Sequence, residues 1–350
     1  MYINALNNFR ALAIVLIVMV HIFPIVFKGE LNIYEGVFLN LISGGTTLFV
    51  FISGFLFHHV FFLDFNYKQF MLKKAKNVLV PYLILSFLPV VLLVLINKPS
   101  HGDFFLGSDV SYLELYIVPL FKYYLTGRHL IAYWYIPFIA LMFSISPLVM
   151  TYLKLDIKKQ CLIIIILSLL SMLIHRPLAN INPLQSLIYY LPIYLIGALT
   201  SCKYKYVCKL LKDKEIWLLF MIIFLAIYQY GMGVQGNFHK AFFSIERIDI
   251  SYVQKILMCF MLLAFLSRYE NFKNGKITML TNTSFAVFFL HPFFLVVLNR
   301  VSLIDDIENS FIYKWTCLFG ITSLVVIICI LIAISVKKYV PKFSRNLIGY

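Results

Sequence analysis

The chain has 350 residues, 62% hydrophobic and only 13% charged, with 34 phenylalanines and 23 tyrosines. That leaves too little polar surface to cover a soluble globule and makes the chain a polytopic membrane protein. The net charge of +15 lies in loops between apolar runs; with no folded soluble domain to cluster it on one face, nucleic acid is excluded as a partner.

Ten apolar runs of spanning length follow one another, at 11–27, 37–63, 79–97, 130–153, 161–174, 184–201, 216–232, 250–267, 284–304 and 315–336. They predict an all-α polytopic bundle forming one membrane domain over residues 1–350, with no appended soluble domain. The fifth run is short. With Pro183 and Pro192 nearby, the fifth and sixth runs fit two clean spans, one long broken helix or a re-entrant piece.

The first run opens on Arg10 and carries His21 eleven residues later. At 1.5 Å and 100° per residue, the two share a helix face, with the imidazole roughly 16 Å deeper. Ionisable groups inside a span usually face the bundle interior or a wet cavity, which makes both functional candidates; the plainer alternative is a topogenic arginine and a core histidine. Lys28, Gly29 and Glu30 follow Phe27 without a small-residue cleavage site, so the run reads as an anchor.

In the second run, Ser43-Gly44-Gly45-Thr46-Thr47 precedes Phe51-Ile52-Ser53-Gly54-Phe55, small residues that read first as close helix packing. The 64–78 loop then carries Lys73, Lys74 and Lys76 ahead of Val80-Pro81-Tyr82. Those cations suit a nucleotide or pantetheine phosphate, or ordinary anchoring at anionic lipid. The 98–129 loop brings Tyr112, Tyr116, Tyr123 and Tyr124 near Arg128, where interfacial anchoring is favoured over carbohydrate contact. In the ninth run, Ser284 precedes Leu290-His291-Pro292, which puts His291 about 10 Å in from the inner end, at a depth close to that of His21. Six cysteines without a C-x-x-C spacing indicate neither a disulfide framework nor a metal site.

Loop charge sets the expected orientation. With the N-terminus cytoplasmic, the inner loops hold twenty Lys and Arg residues and the outer loops nine, and Lys255 falls within a span. The alternation holds at every loop, so both ends are expected in the cytoplasm.

Taken in order, these segments resemble the acyltransferase-3 family of integral-membrane acyltransferases, which modify sugars of surface polysaccharides and related glycans. The arginine followed after ten residues by histidine, Arg10 and His21, is the most specific element. Phe51 to Phe55, the basic run ending in Pro81-Tyr82, Trp134-Tyr135-Ile136-Pro137 and Ser284 to Pro292 support it. Ala11 stands where relatives often have glycine, Asn7 where an acid is common, and Ala132 nearest the position of a family histidine, with His129 farther off.

The resemblance implies transfer of an acyl group, usually acetyl, from cytoplasmic acyl-CoA to a hydroxyl of a lipid-linked or exported glycan. Arg10, with Lys73, Lys74 and Lys76, would bind the donor; His21, with His291, would be catalytic, His21 as base or acyl carrier and His291 orienting the thioester carbonyl. Trp134 and Arg128 would face the acceptor. Acetyl-CoA is then a substrate, with no resident cofactor or metal, and a bacterial plasma membrane is the expected location. Two other classes stay open at this point. One is a transporter, flippase or export component for a lipid-linked oligosaccharide or polysaccharide, weakened because no Asp or Glu lies within the ten core runs to relay a proton. The other is a glycosyltransferase using Asp103, Asp109 and Glu114, which read more simply as solvated loop residues.

Overall fold

The computed structural model describes residues 3–96, 103–107, 111–244, 246–300 and 310–350. Lys98, Asp109 and the end of the ninth run at 301–304 lie outside the described residues. Among the described residues, eight helices are long and apolar enough to cross a membrane: Asn4–Val26, Ile33–Phe61, Tyr67–Ile96, Ile157–Ile174, Pro183–Cys202, Ile250–Arg268, Gly275–Arg300 and Phe311–Tyr339. The fourth run is a helix pair bent by 55°, Tyr135–Ser144 and Ser146–Leu153, where Pro147 follows the break. The seventh is a shorter apolar helix, Glu215–Gly231. Each apolar run is thus helical over most of its described length, and the chain is an all-α multi-pass bundle.

In chain order the helices are α1 (Asn4–Val26), α2 (Ile33–Ile42), α3 (Gly45–Phe61), α4 (Tyr67–Lys74), α5 (Val80–Ile96), α6 (Val118–Thr126), α7 (Tyr135–Ser144), α8 (Ser146–Leu153), α9 (Ile157–Ile174), α10 (Pro183–Cys202), α11 (Tyr204–Leu211), α12 (Glu215–Gly231), α13 (Ile250–Arg268), α14 (Gly275–Arg300), α15 (Phe311–Tyr339) and α16 (Ser344–Ile348). Among the described residues the strands are two short pieces, β1 (Arg176–Pro177) and β2 (His239–Lys240), which pair in parallel. At the centre, α1 packs against α14, α15, α3 and α13, and α3 runs along α10.

The small residues of the second run divide into two jobs. Gly54 does what packing predicts: a Cβ there would strike the Tyr194 carbonyl of α10, and one at Gly197 would strike the Phe51 carbonyl, so the two glycines let α3 and α10 touch backbone to backbone. Ser43 and Gly44 instead break the helix, and α3 begins at Gly45. Gly44 takes φ +77°, a left-handed conformation open to glycine without a Cβ penalty. A helix end inside a membrane leaves carbonyls that lipid cannot satisfy. Lys255 of α13 donates from Nζ to the carbonyls of Asn40 and Leu41, at 2.5 and 3.1 Å, and closes the end of α2. A cation at a helix C-terminus also meets the negative end of its dipole.

The basic 64–78 segment is helix rather than loop. Asn66 caps it by accepting from the Gln69 N–H at 3.0 Å. The wider π turn at Ala75–Leu79 then leads into Pro81, whose ring nitrogen has no hydrogen to donate. The fifth and sixth runs settle as two separate helices, α9 and α10, packed on each other and joined through β1.

Glu270, in the turn between α13 and α14, accepts from the backbone N–H groups of Asn4 and Ala5 at 2.5 and 2.9 Å. At the other terminus, α16 packs on α5, α14 and the π turn. These contacts gather lysine-rich segments expected on the inner side, while β1, β2 and the 127–134 turn gather segments expected outside.

Candidate active site

His21 lines a cavity with Gly44, Gly45, Thr46, Arg128, Trp134, Arg176, Asn180, Asn237 and His239. Each wall has a local cause. Pro24 cannot donate to the Val20 carbonyl one turn back, which loosens α1 beside His21, and Val20 lines the same space. The break at Gly44 turns the N-terminus of α3 into the cavity without a side-chain cap, so the first-turn N–H groups and the positive dipole end face it. Asn40 holds the 232–240 segment: its amide nitrogen donates to the carbonyls of Ala226 and Val234, and its oxygen accepts from the Gly236 N–H at 2.7 Å. Gln185 donates to the carbonyls of Ile174 and Lys240, at 3.2 Å each, and thereby ties the end of α9, just before β1, to β2. Tyr133 donates to the Phe289 carbonyl at 2.8 Å and fixes the turn that carries Arg128 and Trp134.

His291 lies directly behind His21. The two rings stack with centroids 5.6 Å apart and planes 20° from parallel. His291 is fully buried, and its Nδ1 lies 2.9 Å from the Val287 carbonyl, which only accepts, so Nδ1 is the donor. Its Nε2 is buried and has no hydrogen-bond partner among the described residues. In that tautomer a neutral His291 offers a lone pair at Nε2, and it has no proton there to give a thioester carbonyl.

A second cavity is lined by Arg10, Lys74, Asn77, Asn282 and Arg345 against aromatic walls. One Arg10 nitrogen donates to Ser284 Oγ at 3.0 Å, joining α1 to α14. Lys74 Nζ stands 4.6 Å above the Phe143 ring, near enough for a cation–π contact. Lys73 and Lys76 are exposed and do not line this space. Phe49, Tyr135 and Phe285 line both cavities, so an aromatic partition separates the Arg10 side from the His21 side.

The residues picked out from sequence therefore sort by cavity. Arg10 and Lys74 share one; His21, Arg128 and Trp134 share the other; His291 supports His21. Of the tyrosines in the 98–129 segment none lines either cavity, and Tyr123 stacks on Phe105 at 4.5 Å. His129 is buried with Nε2 2.7 Å from Ser86 Oγ, a bond between the turn and α5.

Sequence reasoning passed over Arg345, Arg176, His239, Asn180 and Asn237. A basic residue directly before Pro177 in a short loop between two apolar runs was the available signal for Arg176. His239 Nδ1 donates to the Pro177 carbonyl at 2.7 Å. Burial, and then the Arg176 charge, push its pKa down to about 4 against that hydrogen bond, with Arg128 adding to the shift. It is neutral at pH 7. Burial also lowers the pKa of Arg128, which still leaves the guanidinium charged.

A family model described as an acyltransferase domain matches residues 3–334. No curated protein and no solved structure matches the chain.

Proposed function

We propose, for a chain that belongs to the acyltransferase-3 family and is therefore a membrane acyltransferase, that it moves an acyl group, most simply acetyl, from cytoplasmic acyl-CoA to a hydroxyl of a lipid-linked or exported glycan in a bacterial plasma membrane. The observation that carries this reading is the pair of cavities meeting at Phe49, Tyr135 and Phe285, with cations on one side of the partition and an imidazole on the other. The Arg10 cavity suits a phosphorylated donor. Arg10, Lys74 and Arg345 converge there with no Asp or Glu among the lining residues, and guanidinium forks match phosphate oxygens.

The donor's thioester would reach the partition from the Arg10 side, and the acceptor hydroxyl would enter the His21 cavity. His21 takes the hydroxyl proton as the oxygen attacks the thioester carbonyl. Negative charge then builds on the carbonyl oxygen, where the N-terminal N–H groups of α3 at Gly45 and Thr46 offer stabilisation. Collapse breaks the carbon–sulfur bond. The thiolate recovers the proton from His21, so the products are an O-acyl glycan and free CoA thiol. His291 acts as a positioning residue that holds the His21 ring through the stacked face.

Proteoliposomes test this reading. With acetyl-labelled acetyl-CoA supplied on the Arg10 side and glycan lipids in the membrane, label should appear on the glycan as a base-labile ester. Glycan movement without label on any acceptor would overturn the reading in favour of a flippase.

A further inference from the structure

The His21 cavity carries more positive charge than acyl transfer to a neutral hydroxyl uses. Arg176 is 6% exposed, and among the described residues its Nε has no hydrogen-bond partner. Its guanidinium makes a 3.4 Å bond to Asn180 Oδ1 and lies 5.1 Å above the Trp134 ring and 6.0 Å from the Tyr190 ring. Arg128 enters the same space from the 127–134 turn, and its Nε is likewise buried without a partner. Among the described residues neither arginine forms an ion pair, and no Asp or Glu lines the cavity. Two acids are buried at this end of the molecule: Glu35, which accepts from the Asn32 N–H in the cap of α2, and Asp249. Asp249 is also committed elsewhere, accepting from Tyr189 and Ser251 and lining a separate cavity with Gln229 and Met232.

A buried guanidinium without a counter-charge is costly, and an anion that arrives with a ligand removes that cost. The donor does not account for it, because the Arg10 cavity on the other side of the partition holds three cations of its own. Asn180 and Asn237 add amides suited to sugar hydroxyls, and Trp134 adds an aromatic face. We infer that the acceptor is an acidic glycan, its carboxylate or phosphate held by Arg176 and Arg128 so that a neighbouring hydroxyl meets His21. The inference rests on reading the His21 cavity as the acceptor side.

Binding and transfer are measured separately on the full chain in nanodiscs. The probes are tetragalacturonate, its methyl ester, which has the same sugars without the charge, and a glycerol-phosphate tetramer. Binding is followed without donor by tryptophan fluorescence, since Trp134 lies under Arg176, and transfer is followed with labelled acetyl-CoA. At least one anionic probe should bind about tenfold or more tightly than the methyl ester and take up label, the scale of a charge-assisted hydrogen bond lost or made. Which of the two does so identifies the charge as carboxylate or phosphate. Arg176→Gln and Arg128→Gln should each erase the preference. Arg128 is the more exposed of the pair, so its variant keeps the test open should Arg176→Gln fail to fold. Equal binding and labelling of the acid and the methyl ester overturns the inference and leaves acyl transfer standing. Arginine-dependent binding of an anion that never receives label overturns the acyl-transfer reading, and the acceptor assignment falls with it.

Discussion

The two cavities resemble each other in charge and differ in construction. Both are basic, and among the described residues neither is lined by an acid. The Arg10 cavity is built mainly from helix faces, α1, α3, α7 and α14, closed by α16. The His21 cavity depends on interruptions: the break at Gly44, the turn before Trp134, and the β1–β2 pair. A helix face can deliver a cation to a phosphate and leave it mobile. Irregular backbone, fixed by Lys255, Asn40, Gln185 and Tyr133, sets directions more closely. Acyl transfer asks for that difference, since the donor's phosphates need only be held whereas the reacting hydroxyl must be aimed.

The largest expected effect breaks the comparison at its chemical end. His21→Ala should lower kcat by about 10²- to 10⁴-fold, the range for loss of a general base, with the KM for acetyl-CoA nearly unchanged. Steady-state transfer kinetics in nanodiscs, read beside a folding check by size exclusion, decide it. A comparable rise in donor KM would mean that the two cavities act as one binding site and that the aromatic partition has no functional meaning.

That pairing was also the most legible part of the molecule. Arg10 and His21 share one helix, so an eleven-residue spacing is enough to place them on one face. Arg176 and His239 meet only because β1 pairs with β2 across 63 positions of sequence, and no periodicity carries that information. The Gly44 break lay between these extremes. Small residues predict close packing and helix interruption alike, and Gly54 and Gly44 realise one each. What separates them is Lys255, the lysine that sequence places inside a span, whose ammonium requires something such as the open end of α2. Lys73, Lys74 and Lys76 looked equivalent as a charge run; helical phase turns only Lys74 into the cavity.

Lys255→Met tests whether the interruption is what sets the His21 cavity apart. It keeps the side-chain length and removes the donors, leaving the Asn40 and Leu41 carbonyls without their partner. Each unsatisfied buried group costs about 1–3 kcal/mol, so the melting temperature in detergent should drop clearly. Transfer should fall about tenfold or more even in the folded fraction, because the α3 N-terminus loses its support. Stability and transfer both at wild-type level would show that the break holds itself.

Arg10→Lys sharpens the other side. Lysine keeps the charge and loses the fork, both for a donor phosphate and for the Ser284 contact. The KM for acetyl-CoA should rise about tenfold and the KM for the glycan less than twofold, measured by varying each substrate at saturation of the other. Equal changes in both would assign Arg10 to the bundle's structure instead of to the donor.

The smallest effect is a pH dependence confined to the His21 cavity. His239 titrates near 6.5 in an unfolded chain and at about 4 in the folded one, because it is buried and faces Arg176, with Arg128 beyond, despite its bond to the Pro177 carbonyl. Its folded value is the lower, so between these limits the unfolded chain carries the extra proton. Stability from this group is therefore complete above pH 6.5 and is lost as pH falls toward 4, amounting to about 2 kcal/mol by pH 5. The melting temperature of wild type should drop between pH 7 and pH 5 by more than that of His239→Gln. An acidic glycan seated on Arg176 and Arg128 would offset the two charges that hold the imidazole neutral, raise its folded value and shrink the difference between the two proteins. The methyl-esterified probe carries no such charge and should leave it in place. A wild-type pH dependence that no anionic ligand alters would mean that the arginines are not where the acceptor's charge rests.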